Sequence, residues 1–250
     1  YSNILARDNP YLLARVNRGW IGIAESFLHK KRGAVNMEGD IVGPPLEIIL
    51  GPVTAADRLN DYRVYSYARR TLEVSKQGRK TGIEPEVAQR AFDRLHQDPL
   101  MRDTFDAQRI WRGHLRRYLV DAEVLAEEGK ARMEALHEDY VPLHRVMDEA
   151  VSDGPPGSGS TFANLFNPIQ RLSREGSTRE IIDPLEVDVK NAHAFINVAE
   201  RAQIGRAIVR LARSMHGGGK WVEEGIPEPM RPVPITPEEF AVMKFSPIEI

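Results

Sequence analysis

Residues 183–215 read DPLEVDVKNAHAFINVAERAQIGRAIVRLARSM. Asp183-Pro184 is a helix start: the aspartate can accept from first-turn N–H groups, and the proline has a fixed φ and lacks a donor that this position would leave unused. Leu185, Val189, Ala192, Ile196 and Ala199 then recur three or four residues apart, and Ile204, Ile208 and Leu211 continue them, so one helix face is apolar. Gly217-Gly218-Gly219 stops the helix near Met215. At 1.5 Å per residue it is on the order of 45 Å long. A rod of that length must lie along several partners, inside this chain or across a contact with another.

Working upstream, Asp98-Pro99 repeats the start signal. Phe105, Trp111, Leu115, Tyr118, Ala122 and Leu125 predict a long helix to about Glu127, with a shorter one from Lys130 to Glu138. Pro85 opens a short helix with Val87 or Ala88, Ala91 and Leu95 inward, after a turn at Thr81-Gly82-Ile83. Before it, Thr54 reads as an N-cap with Asp57 three residues on. The helix that follows carries Leu59, Tyr62, Tyr65, Ala68 and Leu72 on one face and ends near Gly78. Leu13, Val16, Trp20, Ile23 and Phe27 predict a single helix from Pro10 to Lys31. Gly43-Pro44-Pro45 and Gly51-Pro52 are read as breaks around an apolar piece, Leu46 to Leu50, too short to assign.

The expected fold is therefore mainly α, an elongated multi-helix bundle with a long helix in its C-terminal half and a Pro-rich extended tail. Residues 1–53 form an N-terminal helix and a Pro/Gly-rich connector, 54–151 a helical bundle, 152–161 a flexible Gly/Pro/Ser linker, 162–216 the long-helix segment and 217–250 the tail. Asp139 to Met147, with Tyr140, Val141, Pro142 and Leu143, is too apolar for an exposed loop and is expected to pack on the helix from Asp98 to Glu127. Tyr1 is not a methionine and Ile250 follows no helix stop, so both ends are expected to be cuts from a longer polypeptide.

With 34 Lys+Arg against 36 Asp+Glu, no global field favours nucleic acid. The distribution is uneven: Arg58 to Lys80 holds seven basic and two acidic residues, whereas Glu123 to Asp139 holds six acidic and two basic. Such blocks are usually solvated helix faces, and the alternative is a docking surface. The absence of cysteine excludes disulfides, thiolate metal sites and a cysteine nucleophile. No apolar run approaches the roughly 20 residues of a membrane span, and no stretch here reads as a signal peptide with a basic start and an apolar centre, so a soluble segment is expected.

Candidate chemistry is sparse. Gly217-Gly218-Gly219-Lys220 has a superficial likeness to a phosphate-binding loop, but Trp221 stands where Ser or Thr is needed, and the glycines close a helix instead of opening one. Ala24-Glu25-Ser26-Phe27 resembles the Glu-Ser pair of lytic transglycosylases over four residues only, with no supporting segment downstream. The seven histidines form no His-Glu-x-x-His pattern. No catalytic residue, cofactor or metal is expected. Interaction residues are expected at Arg69, Arg70 and Lys76, which with Arg63, Arg79 and Lys80 could meet phosphates, and at Arg201, Arg206, Arg210 and Arg213, which exceed what the helix dipole requires.

Three strings carry a family resemblance: Arg117-Tyr118-Leu119-Val120-Asp121-Ala122, then Asp139 through Met147, then Glu180-Ile181-Ile182-Asp183-Pro184-Leu185-Glu186 leading to Asn191 and Ala199-Glu200-Arg201. Together with their surroundings they are similar to a helical domain of large phage and prophage polyvalent proteins, the long multidomain chains of phages and mobile elements. The resemblance implies a non-catalytic structural and interaction segment of an internal or ejected virion protein, located in the virion interior or, after delivery, in the host cytoplasm. Its partners would be other virion chains or further copies of the same protein, with DNA a possible contact. The alternative it leaves open is a helical accessory region of a phage enzyme, DNA-modifying or peptidoglycan-cleaving, whose catalytic domain lies outside these residues.

Overall fold

The computed structural model describes residues 9–29, 31–79, 81–137, 141 and 183–214. These form α1 (Pro10–Asn17), α2 (Trp20–Leu28), a hairpin of β1 (Ala34–Val35) and β2 (Ile41–Gly43), α3 (Leu46–Ala55), α4 (Leu59–Lys76), α5 (Pro85–Leu95), α6 (Pro99–Asp121), α7 (Glu127–Leu136) and α8 (Pro184–Ser214). The fold is mainly helical, and the long helix of the C-terminal half is present. The linker, the Pro-rich tail, Gly217 to Lys220 and all of Asp139 to Met147 except Val141 lie outside the described residues.

The Pro start signals are used as the sequence suggests. Asp98 accepts from the Leu100 N–H at 2.9 Å, and Asp183 accepts from Leu185 at 3.0 Å. Helix ends were harder to read. Three close by the same device, in which an N–H two residues beyond the cap reaches back to the carbonyl five residues earlier: Arg58 to Val53, Arg79 to Val74 and Val124 to Leu119. The residue at each left-handed corner is Asp57, Gly78 and Glu123. Only Gly78, which lacks a Cβ, is the residue type that advertises such a corner. Hence α6 stops at Asp121 instead of Glu127, and the predicted start at Thr54 is displaced: Thr54 sits in the last turn of α3 with its hydroxyl on Leu50 O at 2.9 Å, and α4 begins at Leu59.

Two further corrections concern the N-terminal third. The helix expected from Pro10 to Lys31 breaks at Arg18-Gly19, and Val16 is exposed. The expected break at Gly51-Pro52 does not occur. Pro52 lies inside α3, whose Leu46, Ile49 and Val53 are buried at helical spacing, so tertiary burial outweighs local propensity. Residue 53 is consequently inside an element rather than at a boundary.

The core has two parts. In the larger, Ala24, Phe27 and Leu28 of α2, Ala34 of β1, Leu46 and Ile49 of α3, and Trp111, Leu115, Tyr118 and Leu119 of α6 pack around Ala192, Phe195, Ile196 and Ala199 of α8. The smaller joins Val53, Tyr62, Tyr65, Leu95, Met101, Phe105, Val141 and Leu185. Val141 is fully buried there, in the same cluster as Met101 and Phe105 of α6, while the rest of the segment expected to pack on that helix lies outside the described residues. The connector, the bundle and the long helix therefore share a core.

Candidate interaction surface

The long helix has two unlike halves. Of its ten buried residues, nine precede residue 200 and only Ala207 follows. The first half is fixed by polar ties that the apolar pattern did not reveal. Val189, assigned to the apolar face, is 39% exposed, while Asp188 beside it is buried. Its carboxylate receives Arg112 Nε at 2.9 Å, Arg112 Nη2 at 2.7 Å and Gln108 Nε2 at 2.8 Å, and Tyr62 Oη donates in turn to Gln108 Oε1. Burial pushes the Asp188 carboxyl upward from its ordinary value, and the adjoining guanidinium opposes that shift. The apolar rhythm of the sequence does not reveal Arg112 and Asp188, because it marks only apolar residues as inward. Their spacing within otherwise inward rows, Arg112 beside Trp111 and Leu115, was the available signal.

A second tie closes the first half. Tyr118 Oη donates to Glu200 Oε1 at 2.7 Å, and Gln203 Nε2 donates to the same oxygen at 3.0 Å. Burial and the adjacent carboxylate raise the Tyr118 hydroxyl's pKa, so it remains a donor. Two of the strings that carry the family resemblance are thus in direct contact, and the third supplies the buried Val141.

Beyond Glu200 the helix presents Arg201, Arg210 and Arg213 on its exposed surface, with Ile208 40% exposed between them. Arg206 differs: it is partly covered and its Nε lies 3.3 Å from Glu123 Oε2. Of the four arginines expected to form an interface, Arg201, Arg210 and Arg213 are exposed and Arg206 is partly covered beside Glu123.

The basic helix α4 is turned mainly inward. Arg58 pairs with Asp61 and Asp98, and Arg63 Nη2 lies 2.7 Å from Asp183. Arg69 stacks over the Phe105 ring at 4.1 Å from its centroid. Arg70 is buried, paired with Glu73, and donates to His137 Nδ1 at 3.1 Å. Lys76 is exposed. The expectation of a phosphate-contacting face therefore meets two arginines, Arg69 and Arg70, engaged with the protein itself. The acidic block answers basic residues next to it, with Arg117 on Glu127 at 2.9 Å and Arg116 on Glu134 at 3.4 Å.

Glu25 stands between two imidazoles, His29 Nε2 at 2.6 Å and His193 Nε2 at 3.2 Å, and its side chain is 40% exposed. His193 also places Nδ1 3.0 Å from Val189 O and packs edge-on against Trp20. This is a clasp between α2 and α8, unlike the apolar pocket that raises the pKa of a glycosidase acid. Among the described residues no cluster of three His, Cys, Asp or Glu side chains could hold a metal ion, and no helix is long and apolar enough to cross a membrane.

Set beside protein-family models, curated proteins and solved structures, the chain matches none of them.

Proposed function

We propose that this chain is a non-catalytic, helical interaction segment of a large phage polyvalent protein, an internal or ejected virion component that docks another protein chain through the distal half of α8. The observation carrying this reading is the division of α8: nine of ten buried residues lie before Glu200, while Arg201, Arg210 and Arg213 surround a half-exposed Ile208 beyond it. Arginine is among the residues enriched at protein interfaces and at their energetic centres. A lone dipole-stabilising cation would need only the final turn. The three resembling strings supply the family context, and an acidic surface on a neighbouring virion chain or another copy is the complementary partner.

The test replaces Arg201, Arg210 and Arg213 by glutamine and leaves Arg206 on Glu123. Incorporation into the particle is expected to fall several-fold while the melting temperature of the isolated segment holds. Unchanged incorporation refutes the docking role. A lost shift of duplex DNA in place of lost incorporation assigns the surface to nucleic acid instead.

A further inference from the structure

Between α2 and the hairpin lies an open cleft of about 420 Å³, within the volume range of small-ligand sites. Gly19 and Gly22 expose backbone, Ile23, Val35 and Ile41 supply apolar walls, and the exposed Lys31 and Arg32 complete the lining. Neither cation has an ion pair with a described residue, in contrast to six of the eight arginines of α4 and α6, which meet a carboxylate. The hairpin is held close to this site by Gly33, where an added Cβ would lie 2.6 Å from Gly43 O. At Gly22 an added Cβ would meet no described residue within 4 Å, so among the described residues the space above that glycine is open.

From this juxtaposition we infer that the cleft binds an organic phosphate monoester of nucleotide size, its phosphate on Lys31 and Arg32 and its flat apolar part over Gly22 between Ile23 and Ile41. Two adjacent cations match a dianionic monoester better than a monocarboxylate, and a guanidinium can take two phosphate oxygens at once. Exposed backbone at Gly19 and Gly22 admits a ring closer than any side chain would allow. The site is separate from the α8 surface, and its failure would leave the docking proposal standing.

The experiment is an amide chemical-shift titration of the folded chain with adenosine 5′-monophosphate, adenosine and inorganic phosphate. Saturable shifts are expected at Gly19, Gly22 and Gly33 with the monophosphate, and roughly tenfold weaker binding with either fragment. Lys31→Gln with Arg32→Gln should lower affinity for the monophosphate to that of adenosine. Gly22→Leu should abolish binding of both while leaving the melting temperature equal or higher, because leucine is the better helix former and enters open space. The inference is overturned if the monophosphate gives no saturable shift at these glycines, if the double glutamine variant binds it as the parent does, or if Gly22→Leu leaves binding intact.

Discussion

Arg112 and Asp188, 76 positions apart, form an enclosed ion pair, each with less than a twentieth of its side chain exposed. Removing one member leaves the other charge stranded, which typically costs 3–5 kcal/mol, more than the pair itself contributes. Asp188→Asn is accordingly expected to destabilise by about that amount in chemical denaturation. Arg112→Met combined with Asp188→Asn should be less damaging than the sum of the singles. Additive losses would mean that the two side chains act independently.

His137 predicts a pH dependence. Burial, together with Arg70 and Arg79, lowers its pKa to about 4. The folded state therefore holds the ring neutral where the unfolded chain, near 6.5, would protonate it. The stability this contributes is complete above pH 6.5 and is lost as pH falls from there toward 4. Melting temperatures across that interval should decline, and His137→Gln, which keeps an acceptor for Arg70, should flatten the decline. Parallel curves for the two proteins would remove His137 as the origin.

Tyr118→Phe tests the tie at the middle of α8. The hydroxyl donates to a carboxylate, so about 1.5–3 kcal/mol is at stake. Amide exchange should accelerate around Ala199 to Gln203 while the first turns of α8, fastened by Asp188, keep their protection. Uniform acceleration along α8 would show the helix to be one cooperative unit.

Pro52→Ala should stabilise the protein. The proline is exposed, sits at the seventh position of a ten-residue helix and cannot donate to Ile48 O. A gain of about 1–3 kcal/mol is expected, reduced by the greater freedom alanine gives the unfolded chain. A lower melting temperature would show that the ring's contacts outweigh the missing bond.

How far the letters alone lead depends on which physical signal each feature leaves. Helices with a Pro start and a three-four apolar rhythm, α5, α6 and α8, were readable because cap and burial agree. The corners at Asp57 and Glu123 were not, since neither side chain announces a left-handed backbone, and so the junctions of α3 with α4 and of α6 with α7 were misplaced. On the candidate surface, Arg201, Arg210 and Arg213 are exposed, as charged residues near a helix end usually are. Arg206, Arg69 and Arg70 needed the fold: which carboxylate or ring lies opposite a cation is a tertiary fact. The cleft beside α2 was invisible for the same reason, being built by three segments that each look like a turn or a small-residue step.

The ties along α8 bear on how the chain assembles during synthesis. Asp188 reaches back to Arg112, Glu200 to Tyr118, and His193 to Glu25 across 168 positions. A ribosome that has made everything through α7 has therefore released helices whose shared inner face still lacks Ala192, Phe195 and Ile196. Until α8 emerges, Phe27 and Trp111 lack that cover, and Arg112 has no counter-ion at Asp188. Among the described elements the last to be translated is the one that closes this core, so the nascent chain passes through a long interval in which it is sticky and open to a chaperone or to the α8 of a neighbouring copy.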